Sequence, residues 1–178
     1  MTTTTMPADR QREYDWQRRF VPEIKRILGE QLITEGPPEE DLRHNTDFIV
    51  LGLDAVRVAC RVRRHSYLAR YGGEFTIRAS RPSGTETELH KVLRGWGDYI
   101  FYAFASTGET YLAAWLLGDL CEFRLWHARA LSLLAPGRMP GTVIRNHDST
   151  GRAYRISDLP SRFVIGRYLP SADEGREP

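Results

Sequence analysis

Arginine is the residue whose number and spacing in this chain could do chemistry. Of the 25 basic residues only Lys25 and Lys91 are lysine. Arg57, Arg61 and Arg63 alternate with Val56, Val58, Cys60 and Val62. On a strand, the three guanidiniums share one face with Ala59 and the apolar side chains share the other. Arg78 follows on a second strand-like segment and Arg81 in the loop after it. Guanidinium forks match phosphate oxygens in a bidentate way, so two such faces brought together make a cationic seat for a nucleic-acid backbone. The alternative is an internal ion-pair network with Glu74, Glu86 and Glu88. Tyr67 and Tyr71, between the two segments, could stack on bases or pack as a lid.

Other chemistry is thin. The histidines at 44, 65, 90, 127 and 147 form no HxH or HxxxH pair, and there is no GxSxG elbow, P-loop or GxGxxG. His147-Asp148 reads as turn chemistry. Cys60 and Cys121 form no CxxC pair and lie in apolar runs, so they read as buried thiols in a reducing compartment, with no zinc site.

The elements that must position these residues follow from periodicity. Trp16, Phe20, Ile24, Ile27, Leu28 and Leu32 recur at helical spacing over residues 10–32, and Pro22 kinks or divides that helix. Gly36-Pro37-Pro38 marks a loop. Strands are expected over 47–51, 56–63 and 74–79. Residues 85–105 read as one helix carrying Leu89, Val92, Leu93, Trp96, Ile100 and Phe104, with Thr85 and Glu88 as a capping box. Gly95 and Gly97 are unusual inside it and suggest close packing or a break. Tyr111–Leu117 reads as a buried strand, with a helix as its rival, and 119–134 as a helix. Segments 142–146 and 152–156 suggest a hairpin. The ends, 1–9 and 170–178, read as disordered tails around a single domain over 10–169.

The order α-β-β-β-α-β, up to Leu117, resembles the core of the PD-(D/E)xK nuclease superfamily, which includes restriction endonucleases and Holliday junction resolvases. The resemblance covers roughly residues 10–118 and implies an α/β fold: a restriction-endonuclease-like core with a mixed central sheet flanked by helices, plus a C-terminal helix and hairpin. It also implies a Mg²⁺ ion held by an Asp at the head of one strand and an acidic-x-Lys pair on the next, positioning a water for phosphodiester hydrolysis. Asp47, before Phe48-Ile49-Val50-Leu51, suits the first position. On the next strand Arg61 and Arg63 stand where the family has its acid and lysine, and an arginine neither ligates Mg²⁺ nor serves as a base. The standard site is therefore absent or displaced. A displaced site would use Asp47 and Glu74 as metal ligands, with Glu88 and Lys91 completing the catalytic group and Asp54 nearby. The competing readings are a strand terminus for Asp47, a helix cap for Glu88 and a neutralising role for Glu74.

The expected activity is thus that of a nuclease-like nucleic-acid-binding protein, with DNA favoured, or of a divergent Mg²⁺-dependent endonuclease. The family resemblance also implies homodimers. The chain further resembles small phage-encoded proteins. A rival is a protein-interaction module, an inhibitor or accessory factor presenting Trp96, Tyr99, Tyr102, Trp115 and Trp126 to a partner. No run of about 18 apolar residues and no secretory leader are seen, so a cytoplasmic location without membrane contact is expected.

Overall fold

The computed structural model describes residues 8–35, 48–50, 56–145 and 148–170. Asp47, Asp54, His44, His147, the Gly36-Pro37-Pro38 loop and most of both expected tails lie outside them. Within them the chain is mixed α/β, with a mixed sheet flanked by helices.

The N-terminal helix is two helices, α1 (Ala8–Arg18) and α2 (Val21–Leu32). Pro22 falls in the first turn of α2, where its missing N–H leaves no intrahelical bond unmade. A short antiparallel pair follows, β1 (Ile33–Glu35) with β2 (Phe48–Val50). Next come β3 (Val58–Arg63), a one-turn α3 (Leu68–Tyr71), β4 (Glu74–Ser80) and α4 (Glu88–Leu93).

The expected helix over 85–105 is corrected here: it is α4 and then a strand, β5 (Tyr99–Ala105). Gly95 (φ 94°) ends α4 in a Schellman motif, its N–H bonded to Val92 O at 3.0 Å and the Trp96 N–H to Lys91 O at 3.0 Å. Gly97 (φ 80°) completes the reversal. The capping box is also absent. Thr87 is the N-cap, Thr85 Oγ1 pairs with Ser83, and Glu88 is turned to Arg61 of β3.

Then come β6 (Leu112–Asp119), α5 (Leu120–Ser132), β7 (Thr142–Arg145), β8 (Thr150–Arg155) and β9 (Val164–Tyr168). Asp119 caps α5, accepting from the N–H groups of Cys121 and Glu122 at 2.6 and 3.1 Å.

One sheet runs β3-β5-β6-β9, parallel at β3/β5 and antiparallel elsewhere; the other runs β4-β8-β7, all antiparallel. The third expected strand therefore leaves the sheet of the second and joins the C-terminal hairpin, which departs from the α-β-β-β-α-β reading of a single central sheet. Alternation along β5 makes the layers. Phe101, Ala103 and Ala105 meet Trp16, Phe20, Ile24 and Ile27 of the N-terminal helices, while Ile100, Tyr102 and Phe104 meet Phe75, Ile77, Leu89, Phe123 and Phe163.

Both cysteines are exposed, which corrects the buried reading: Cys60 lies on edge strand β3 and Cys121 in the first turn of α5. Among the described residues no helix is long and apolar enough to cross a membrane.

Two buried polar atoms, His127 Nε2 and Tyr154 Oη, have no hydrogen-bond partner among the described residues. Burial, and then Arg152, push the His127 imidazole below its ordinary value of 6.5. The unfolded chain then binds a proton that the folded one refuses. Stability from this group is whole above about pH 6.5 and falls as pH drops from there toward the folded value. Urea unfolding at pH 7.5 and 5.5 should show that loss. In His127→Leu the loss should be shallower, and neutral stability higher by about 1 kcal/mol, because an unsatisfied buried polar atom is removed. An unchanged acid slope in the variant would assign the slope to other groups.

Candidate functional site

Edge strand β3 is the floor of a groove of about 820 Å³. One wall is α1, through Glu13 and Gln17, and the other is β4 and α4, through Thr76, Ile77, Arg78, Glu88 and Val92. Arg61 and Arg63 point to the second wall, as alternation on β3 requires. There a deeper cleft of about 190 Å³ is lined by Arg61, Arg63, Tyr67, Tyr71, Thr76, Arg78, Asp148 and Ser149, with Ile77, Ile144 and Gly151.

Each arginine is held differently. Arg61 Nη1 donates to Thr76 O at 3.3 Å and to Glu88 Oε2 at 3.2 Å, with its side chain 31% exposed. Arg63 Nη1 donates to Thr76 Oγ1 at 2.7 Å and Tyr102 Oη at 3.4 Å, and those two oxygens are themselves bonded at 2.8 Å. The Arg63 guanidinium lies over the Tyr67 ring at 4.2 Å and within 5.8 Å of Tyr71. Arg78 holds Glu88 through its backbone N–H at 3.4 Å and lines the inner cleft together with Asp148. The Ser149 hydroxyl, then Arg78 and Arg81, hold the Asp148 carboxyl below the usual carboxylate range. Three arginines from two sheets thus line one cleft with Asp148, and Glu88 pairs with Arg61 at its edge.

A second cluster sets the α1 wall. Glu109, in the β5–β6 turn at φ 56°, accepts the Trp16 indole N–H at 2.7 Å, pairs with Arg64 and lies 3.7 Å from Arg19. Arg64 also lies over the Trp16 ring at 4.2 Å. The Trp16 bond first, and then Arg64 and Arg19, hold the Glu109 carboxyl below its ordinary value. This clamp ties the helix to the C-terminal end of β3.

The expected nucleic-acid residues divide. Arg61, Arg63 and Arg78 converge on the cleft, while Arg57 and Arg81 lie outside its lining. Arg57 instead joins β3 to β5 through its backbone, its N–H donating to Asp98 Oδ2 at 2.7 Å and its carbonyl accepting from the Asp98 N–H at 2.8 Å.

The expected catalytic set is not brought together among the described residues. Glu74 opens β4 beside Arg155 at 3.7 Å, whereas Glu88 reaches Arg78, four residues further along that strand. At about 3.3 Å per residue the two carboxylates serve points roughly 13 Å apart, beyond the reach of one Mg²⁺ with ligands at about 2.1 Å. Lys91 is exposed on α4. Among the described residues no group of three or more His, Cys, Asp or Glu side chains gathers as a metal site would need. The carboxylates here face arginines, so the described donor set does not fit Mg²⁺.

Residues 148–151, from the C-terminal hairpin, were missed as part of the site. Nothing local in the sequence marks them, because they reach the cleft only through the β4/β8 pairing. Of the five aromatics expected on a partner-binding face, Trp96 is 65% exposed and Tyr102 is buried, while Tyr99, Trp115 and Trp126 are half-buried.

No family model matches the chain, and searches of curated proteins and of solved structures find no match.

Proposed function

We propose that this protein binds nucleic acid by its phosphates in the arginine cleft between β3 and β4. The observation that carries this reading is the convergence of Arg61, Arg63 and Arg78 from two sheets, beside Tyr67, Tyr71 and the Ser149 hydroxyl. Phosphate needs fixed, fork-shaped donors, and Arg61 and Arg63 are pre-positioned by Thr76, Tyr102 and Glu88 rather than left mobile on the surface, with Arg78 lining the cleft beside them. Because Glu74 and Glu88 are apart and face arginines, the reading is of binding without hydrolysis on a nuclease-like order of elements. A protein-partner reading has weaker support, since Trp96 alone of the five aromatics is largely open.

Fluorescence anisotropy with labelled oligonucleotides at 20 to 200 mM salt tests it. Binding should weaken linearly in log salt. Arg78→Ala should weaken it alike for all sequences and reduce the salt slope by about one. Strands incubated with Mg²⁺ should stay as intact as those in EDTA. A wild-type protein that binds no oligonucleotide at low salt sinks the proposal.

A further inference from the structure

The geometry points to a single strand, not a duplex, as the nucleic acid this cleft takes, with one base laid on the exposed side of Tyr67. This inference rests on the nucleic-acid reading above and adds the state of the strand and the residue that reads a base.

Three features carry it. The first is width. The arginines are recessed between layers, with α1 on one side of β3 and β4 with α4 on the other. The inner cleft lined by Arg61, Arg63 and Arg78 holds only about 190 Å³, and a duplex, with two sugar-phosphate strands side by side, does not enter a hollow of that size. A single strand does, because it can turn one phosphate inward at a time.

The second feature is the charge at the rim. Glu13 and Glu88 line the walls of the groove, and Asp148 closes the inner cleft beyond Arg78. A duplex carries a charge about every 1.7 Å of its axis and would press phosphates against these carboxylates. A flexible strand meets the guanidiniums at the centre and passes the rim with its sugars or bases.

The third is the aromatic platform. The Arg63 guanidinium covers part of the Tyr67 ring at 4.2 Å, yet Tyr67 remains 42% exposed. Tyr71 sits 6.2 Å away, inclined by 32°, and Arg70 lies over it at 5.2 Å. A base stacking on Tyr67 would extend an Arg63–Tyr67 pile that already exists. Unpaired bases offer that face and paired ones do not, and stacking of this kind tolerates any sequence.

The test is anisotropy with a 12-nucleotide single-stranded DNA, the same sequence as RNA, the DNA duplex and an oligoglutamate peptide, each against wild type, Tyr67→Ala and Tyr67→Phe. Thermal melts of the two variants check that both are folded. The single strands should bind at least tenfold more tightly than the duplex, with a log–log salt slope of about −2 to −3 for three to four phosphate contacts. Tyr67→Ala should lose about tenfold on single strands and little on duplex, and Tyr67→Phe should restore it. Equal or tighter duplex binding overturns this inference and leaves the nucleic-acid reading standing. Full binding by Tyr67→Ala overturns the stacking role. Peptide bound with no oligonucleotide overturns the inference and the reading beneath it.

Discussion

Phe75→Ala is expected to lower the unfolding free energy by about 3–5 kcal/mol, a large share of the about 5–15 kcal/mol that holds a domain together. Phe75 is fully buried on β4, with its ring stacked on Tyr154 and Phe163 at 5.3 and 5.4 Å. It also meets Phe123 and Tyr102 edge-on at 5.4 and 6.4 Å. Those partners come from β8, the turn before β9, α5 and β5, so one side chain joins both sheets and a helix. Its removal leaves a cavity among rings that are themselves pinned, which is the case where collapse recovers least. Guanidinium unfolding should show a lower midpoint at an unchanged slope. A loss under about 1 kcal/mol would mean that the aromatic cluster repacks freely. Because Thr76 follows Phe75 and orients Arg63, the same variant should also weaken whatever the cleft binds.

Much of the fold was legible because periodicity reports burial. The division of the N-terminal helix at Pro22, strand β3, strand β6 and helix α5 all follow from spacing and from breakers that act locally. The misreading at 99–105 has a definite cause. Leu89, Val92, Trp96, Ile100 and Phe104 satisfy a helical period by coincidence across two elements. Tyr99–Ala105 is apolar on both sides because β5 is central in its sheet and covered on both faces, leaving no alternation to count. Gly95 and Gly97 held the decisive information, since two positive-φ residues so close together end a helix. Strand β9 is short and largely open, with Gly166 at its centre, and it was not foreseen although Pro160 and Pro170 bracket it.

The site was legible to the extent that it lies on one strand. Alternation along 57–63 correctly turned Arg61 and Arg63 to one side, whatever else the chain did. What faces them depends on which sheet β4 joins. A strand that pairs with the C-terminal hairpin brings Asp148 and Ser149 to the arginines, and that result has no local signature. The arginine network and the open cleft, weighed as alternatives on the sequence, both exist: Arg61 pairs with Glu88 while Arg63 and Arg78 line the hollow beside them.

Gly118 directly follows the apolar run Tyr111–Leu117 in the sequence, and the structure gives it a strict place. It lies within β6, paired with Ile100 on one side and Val164 on the other, where the β6/β9 register shifts. A Cβ placed there would stand 2.4 Å from Phe163 Cζ and 2.7 Å from Cε2. Phe163 is fully buried and cannot swing aside, because its ring lies on Phe75 and against Phe123. Gly118→Ala is therefore expected to cost about 1–3 kcal/mol, and Gly118→Val more, through overpacking rather than lost contacts. The distinguishing measurement is a double-mutant cycle with Phe163→Leu. Trimming the ring should recover part of the cost of Gly118→Ala, so the double variant should be more stable than the two single losses added together. Strict additivity would mean that the strand bends away from Phe163 instead. In that case the burden would fall on the β6/β9 pairing, and β9 amides should lose hydrogen-exchange protection ahead of those of β5.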